Sequence, residues 1–179
     1  RVIQVDGAEA DDIIGTLVLK FGRSLSMEKD VLIMSGDKDF AQLQRFANVV
    51  QYDPIKKKHV TCNNPDRFLK EHILKGDRGD GIPNVLSPDS CLVRGERQKP
   101  MTAKKLEQYI QMPVSEYDDA VVRNYKRNEQ LIDLLNTPDD LREKILALYD
   151  EQADKNRDQL FNYFIKYNLK NLMQHIGDF

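Results

Sequence analysis

The sequence has little of what staples a small fold together. Its two cysteines, Cys62 and Cys91, form no Cys-x-x-Cys pair. That excludes a disulfide scaffold and a zinc-finger framework, and fits a reduced, cytosolic setting. The three histidines, His59, His72 and His175, stand far apart, and no nucleophile triad is present. No run of eighteen apolar residues occurs, so no membrane-spanning helix is expected. The opening Arg1-Val2-Ile3-Gln4-Val5-Asp6 lacks the basic lead and apolar core of a signal peptide. Nor does one charge dominate: 27 Lys and Arg against 29 Asp and Glu leave a net charge of -2. Binding of nucleic acid by bulk positive charge is thereby disfavoured, while binding by local patches is not.

What remains is an ordinary globular composition, 40% hydrophobic and 31% charged over 179 residues. A chain of this length buries roughly 70% of the surface it exposes when unfolded, enough for a real core. The first third reads as strand, helix, strand. Val2 to Val5 is an apolar, β-branched run, and the chain opens inside it without an initiator Met. Ile13, Ile14, Leu17, Val18 and Phe21 make one helical stripe starting near Ala8 or Glu9 and ending at Gly22. Val31 to Met34 suits a strand buried on both faces. Together these predict a βαβ unit. A hairpin follows, residues 48–52 and 58–61 flanking a turn with Asp53-Pro54, then a helix over 66–75 that stops at Gly76.

Residues 77–100 are rich in Gly and Pro and read as a turn-rich, functional connection. Helices are expected over 102–111, 115–135, 138–150 and 154–167, with a last turn over 170–176. Ser115 with Asp118, and Thr137 with Asp140, look like helix caps. Leu131, Leu134 and Leu135, then Ile145, Leu148 and Tyr149, then Phe161, Phe164 and Ile165, form stripes expected to be core. The fold class is therefore α/β: a partial parallel sheet with carboxylates at its strand ends, then a helical C-terminal region.

Three segments hold acids at close spacing: Glu9-Ala10-Asp11-Asp12, Asp37-Lys38-Asp39, and Asp77-Arg78-Gly79-Asp80-Gly81. Each alone has a bland explanation. Acids in a first helical turn gain ~0.3–1 kcal/mol each from the helix dipole, and Gly-Asp sequences make turns. A calcium-binding EF-hand fails, because Pro88 stands where the loop needs Glu. Taken together, the first two groups follow strands and project to one edge of a parallel sheet, where α/β folds bind ligands. Carboxylates packed there repel unless a cation neutralises them. Oxygen ligands without His or Cys select Mg²⁺ or Mn²⁺, and two such ions suit phosphodiester hydrolysis. His72, on the expected helix 66–75, reads as packed or exposed rather than catalytic.

The order and spacing of Glu9 to Asp12, Ser35-Gly36-Asp37-Lys38-Asp39-Phe40 and Lys75 to Pro83 resemble the five-prime nuclease family, which includes flap endonucleases. Val93 to Arg97, Asn124 to Asn128 and the ending from Tyr163 to Phe179 are similar to the T-even phage ribonuclease H branch of that family. The resemblance spans essentially the whole chain, but only the C-terminal portion of the family protein. It implies part of a nuclease α/β core over 1–75, a helix-turn-helix DNA-binding segment over 76–112 and a helical region over 113–179. Glu9, Asp11, Asp12 and Asp37 would serve or border the first, catalytic metal site, and Asp39, Asp77 and Asp80 the second. Two Mg²⁺ ions are implied, replaceable by Mn²⁺, with K⁺ at the helix-turn-helix turn.

DNA contacts are implied for Gly76, Gly81, Pro83, Asn84, Arg94, Arg97, Lys99, Lys104 and Lys105. Asn84 takes the place of a family glycine and is expected to tolerate a left-handed backbone. The Lys56-Lys57-Lys58-His59 hairpin tip is either a solvated face or a further contact. The implied activity is metal-dependent 5′-3′ exonuclease and flap cleavage, removing RNA primers and adjoining DNA during phage replication in the host cytoplasm. Branched or nicked DNA, RNA–DNA hybrids, a single-strand binding protein and a sliding clamp are the implied partners of a monomer. The alternative is a fragment that binds DNA or replication proteins without cutting.

Overall fold

The computed structural model describes residues 1–22, 30–152 and 157–178. Among these residues three strands form one small mixed sheet: β1 (Val31–Met34), β2 (Val49–Asp53) and β3 (Lys58–Val60), in that spatial order. β1 and β2 are parallel, with Val31 opposite Val49 and Met34 opposite Tyr52. β2 and β3 form the expected antiparallel hairpin, Gln51 facing Val60. Asp53 closes its turn by accepting the backbone amides of Ile55 and Lys56 at 3.0 and 2.9 Å.

The parallel pair differs from the one expected. Residues 2–5 join no strand. The main chain of Val2 instead donates to Gln152 Oε1 and accepts from Gln152 Nε2, at 2.9 and 2.6 Å. A buried carboxamide thus takes the place of a ladder, and Arg1 stacks on Tyr149. The crossover from β1 to β2 is carried by a 3₁₀ helix, Lys38–Arg45, opened by Asp37, whose side chain accepts the amide of Asp39.

Among the described residues, seven α-helices complete the fold: α1 (Ala10–Gly22), α2 (Pro65–Lys75), α3 (Ala103–Gln111), α4 (Asp119–Ile132), α5 (Asp139–Glu151), α6 (Leu160–Lys166) and α7 (Lys170–Met173). α2 begins as its sequence dictates, with Asn64 accepting the amide of Arg67 and Pro65 in the first turn. The single helix expected over 115–135 is broken. Val114–Glu116 is a 3₁₀ turn, and α4 stops at Asp133, which caps the amide of Leu135 while binding Arg45 at 2.7 Å. The two expected caps do not form: Asp118 makes no side-chain cap, and α5 opens at Pro138. Thr137 donates to Asp12 instead. The expected start at Asp154 lies outside the described residues. Leu131, Phe161 and Ile165 are exposed rather than core, whereas Ile145 and Phe164 are buried.

The core has two parts. One packs Val18 of α1 against Ile33 of β1, Val49 of β2, and Phe40 and Leu43 of the 3₁₀ crossover. The other joins α2, α3 and α4 through Leu69, Ile73, Leu106, Val121, Tyr125 and Ile132. Three fully buried carboxamides tie these parts to the loops between them. Gln51 on β2 donates to the carbonyls of Ser35 and Asp37 at 2.9 and 2.6 Å. Gln42 donates to the Ile132 carbonyl and accepts from the Leu134 amide, at the end of α4. Asn128 on α4 donates to the carbonyls of Ile73 and Pro83 at 2.8 and 2.9 Å. The loop after β1 and the turn after α2 are thereby fixed from behind.

Gly76 ends α2 with φ of 66°, and a Cβ there would meet the carbonyl oxygens of Ile82 and Pro83 at 2.4 and 2.6 Å. Both the left-handed backbone and the close approach demand glycine. Gly76→Ala is expected to cost roughly 2–4 kcal/mol of stability, read as a lower urea midpoint at unchanged slope.

Candidate metal centre

Three local signals aim acids at one place. At the start of α1, Asp12 reaches back to accept the amide of Glu9 at 2.9 Å, as an acid at the third helical position does. Its other oxygen takes the hydroxyl of Thr137 at 3.1 Å. After β1, Asp37 turns the chain so that Asp39 opens the 3₁₀ crossover. After α2, Asp77 folds the chain back by accepting the amide of Gly79 at 2.8 Å. Glu9, Asp11, Asp12, Asp39, Asp77 and Asp80 line one hollow of about 90 Å³. Leu131, Ile132 and Leu134 contribute apolar wall. Asp37, expected at the catalytic position, is not among the lining residues, and its carboxylate is engaged by the Asp39 amide. Its charge still reaches Asp11.

The acids differ in how their charge is borne. Burial, then the charges of Asp37 and Asp39, and then those of Glu9 and Asp12, raise the Asp11 carboxyl from 3.8 to about 6. Asp39 is raised by burial and by Asp37 and Asp77, against the pull of His72 and Lys38. Asp77 goes the other way. Burial pushes it up, but hydrogen bonds from Lys38, from the Gly79 amide and from His72 outweigh that and bring it down to about 2. Lys38 is in turn raised by its 3.1 Å bond to Asp77.

His72 is the residue that sequence reasoning set aside. It lies on α2 and lines the same hollow. Its Nε2 is 3.2 Å from Asp77 Oδ2 and its Nδ1 is 3.5 Å from Asp39 Oδ1. The last two atoms, His72 Nδ1 and Asp39 Oδ1, are buried without a hydrogen-bond partner. The signal available in the sequence was its position five residues before Asp77, at the end of a helix that the chain turns back upon. A hollow with this surplus of carboxylate, and with orphaned acceptor atoms in its wall, fits a divalent cation. Asp39, His72 and Asp77 each offer a ligand atom within 4.8 Å of the others.

The residues expected to meet DNA fall into two groups. Arg94, Arg97, Lys99, Lys104 and Lys105 are all exposed. Lys104 and Lys105 occupy the first turn of α3, which carries no acid, an arrangement that runs against the helix dipole. Gly81, with φ of 76°, shares a surface hollow of about 360 Å³ with Arg78, Gly79, Leu92, Val93, Gly95 and Glu96. Asn84 departs from expectation. It is buried, and its backbone is not left-handed. Its side chain donates to the Lys99 carbonyl and accepts from the Leu86 amide and the Ser87 hydroxyl, so it holds the segment 86–99 against the turn. Pro83 is buried beside it, and its carbonyl takes Arg127 as well as Asn128. At the hairpin tip, Lys56 pairs with Asp53.

Residues 1–72 match the model of a 5′-3′ exonuclease, N-terminal resolvase-like domain, and residues 65–179 match that of T4 RNase H, C terminal. The ribonuclease H of Enterobacteria phage T4 is 34% identical over 99% of this chain and 60% of its own length. DNA polymerase I of Pseudomonas aeruginosa is 27% identical over 85% of this chain and 20% of the polymerase. The flap endonuclease Xni of Shewanella is 30% identical over 44% of this chain and 32% of that protein. This chain thus spans 60% of the length of the phage relative.

The raised carboxyl of Asp11 has a thermodynamic consequence. Between its unfolded value of 3.8 and its folded value of about 6, the folded chain holds a proton that the unfolded chain has released. That stability is present at acid pH and lost as pH rises through about 6. Without divalent ions, Asp11→Asn is expected to raise the thermal midpoint at about pH 8 by about 2–4 °C. The gain shrinks toward about pH 4, where both proteins are neutral at this position, and circular dichroism melts across pH measure it.

Proposed function

This chain belongs to the T4 RNase H family of 5′-3′ nucleases, and on that premise we propose that it is a metal-dependent 5′-3′ exonuclease and flap endonuclease. The observation that carries the proposal is the convergence of acids from three distant segments on one hollow. Asp11, Asp39, Asp77 and Asp80, with Glu9, would hold two divalent ions, Mg²⁺ or Mn²⁺. Bound there, the ions would supply an activated water and stabilise the leaving oxygen of a phosphodiester. Asp12 and Asp37 act differently on this reading. Asp12 fixes the start of α1, and Asp37 positions Asp39 while adding its charge to the field at Asp11.

The substrate is read from charge and shape. Lys104, Lys105, Arg94, Arg97 and Lys99 would take phosphates on the outside of the 76–112 segment, with a K⁺ ion at its turn. Gly76, Gly81, Pro83 and Asn84 would shape that turn, the last two from its buried side. Contacts of this kind carry no base sequence and suit recognition of a junction. Nicked or branched DNA and RNA–DNA hybrids are the proposed substrates, and primer removal in phage replication inside the host cell is the proposed role. A single-strand binding protein and a sliding clamp are the proposed partners of a monomer. Among the described residues, no helix is long and apolar enough to cross a membrane.

A 5′-flap substrate with Mg²⁺ tests the chemistry. The expected outcome is cleavage that Asp39→Asn reduces by roughly 100-fold or more. Binding of the flap without cleavage would instead support a chain that holds DNA but does not cut it. The basic groups have a separate readout. Replacing Lys104 and Lys105 with Ala is expected to weaken flap binding and to lower the slope of log K against log salt by roughly 2, measured by fluorescence anisotropy.

A further inference from the structure

We propose that Arg127 is a positioning residue for the metal-binding acids Asp77 and Asp80, acting through Asn128. The inference rests on the metal-dependent reading above and gives a role to a residue that reading does not use.

Asp77 and Asp80 lie on a loop that leaves α2 at Gly76 and rejoins the core at Ile82 and Pro83. Asn128 of α4, fully buried, closes the neck of that loop. Its Nδ2 donates to the Ile73 carbonyl on the entering side and to the Pro83 carbonyl on the leaving side, at 2.8 and 2.9 Å. Asn128 can do this in one orientation only, because a carbonyl accepts and a side-chain amide donates from its nitrogen alone. Turned over, its Oδ1 would face two carbonyl oxygens.

Arg127 sets that orientation. Its Nε and Nη2 both donate to Asn128 Oδ1, at 2.9 and 2.7 Å, and a guanidinium offers donors alone. The same Nη2 donates to the Pro83 carbonyl at 3.1 Å, so two side chains hold that carbonyl. Nη1 pairs with the carboxylate of Asp89, on the segment that carries Arg94, Arg97 and Lys99. Asp89 also takes Arg123, one turn earlier on α4. All three guanidinium nitrogens of Arg127 are thus engaged, and its side chain is only 22% exposed.

What this staple opposes is electrostatic. Asp77 and Asp80 line the hollow with Glu9, Asp11, Asp12 and Asp39, and like charges push the loop outward when no cation lies among them. A loop that yields carries two ligands away from the ion, and metal affinity falls when the groups behind the ligands loosen. Arg127 is itself a cation, so charge alone gives the opposite expectation. Its removal would make the surroundings more negative and strengthen the binding of a divalent ion. Position and charge therefore predict opposite signs.

Calorimetric titration of Mn²⁺ into the 179-residue chain reads that sign. Arg127→Gln is expected to weaken Mn²⁺ binding about tenfold. Arg127→Lys keeps the charge but not the planar fork that reaches Asn128 and Pro83 together, and is expected to weaken it as well. Circular dichroism melts set a temperature at which each variant is folded, so that loss of the fold is not read as loss of the ion. Mn²⁺ binding that is unchanged or tighter in folded Arg127→Gln would overturn the inference and leave the nuclease reading standing. Should Arg127→Gln not fold, the same result in Arg127→Lys decides it. An unaltered chain that binds no Mn²⁺ would overturn both.

Discussion

The repulsion among carboxylates in one hollow is the constraint around which the rest of this structure is arranged. Left to themselves, the loops that carry these acids would swing them apart into water. The scaffold prevents this from behind. Gln51 grips the carbonyls of Ser35 and Asp37, and Asn128 grips those of Ile73 and Pro83. These are neutral, buried donors, so they fix the backbone without neutralising the charge it presents. Helix α1 is brought against the same structure at Gly15, where a Cβ would strike the Leu134 carbonyl at 2.4 Å. The close approach lets Thr137 reach Asp12 and sets the third wall of the hollow.

Charge is then divided unevenly along the hollow. At the Asp77 end, Lys38 and His72 supply donors and the carboxylate is stabilised. At the Asp11 end burial and the other acids all push the carboxyl in one direction. Asp39 stands between the two ends and feels both. A cation entering the hollow therefore gains most where Asp11 and Asp39 face it, and least where Lys38 already serves Asp77. The unevenness also explains why the acids are not interchangeable, although their spacing in the sequence looks repetitive.

Much of the fold was legible because its signals are local. Asn64 and Pro65 begin α2, Gly76 ends it, and Asp53-Pro54 turns the hairpin. Asp39 after β1 and Asp77 and Asp80 in the turn after α2 reach the hollow from the places the sequence suggested, whereas Glu9, Asp11 and Asp12 reach it from the start of α1 and not from a strand end. What failed to show is what depends on a distant partner. Val2 to Val5 has strand composition, but its backbone partner is a glutamine 150 residues away. The long helix expected through Asp133 is cut because Arg45 recruits that carboxylate from another segment. His72 looked idle because the atom it faces, Asp39 Oδ1, belongs to a segment more than one strand earlier. Asn84 was read through its backbone tolerance, whereas its side chain is what the turn uses.

The same logic links the hollow to the neighbouring surface around Arg78. Asp77 and Asp80 line the acidic hollow, and Arg78, Gly79 and Gly81 of the same turn face Leu92, Val93, Gly95 and Glu96 across the neighbouring hollow. Because Gly76 admits no other residue and Pro83 is pinned by two side chains of α4, this turn is a fixed bracket between the acids and Arg78. A phosphate backbone resting beside Arg78 would be repelled by the bare acids a few residues away. A divalent ion in the hollow reverses the sign of that interaction. On the proposed function, metal and DNA binding on this bracket would be coupled through a fixed piece of backbone, each strengthening the other.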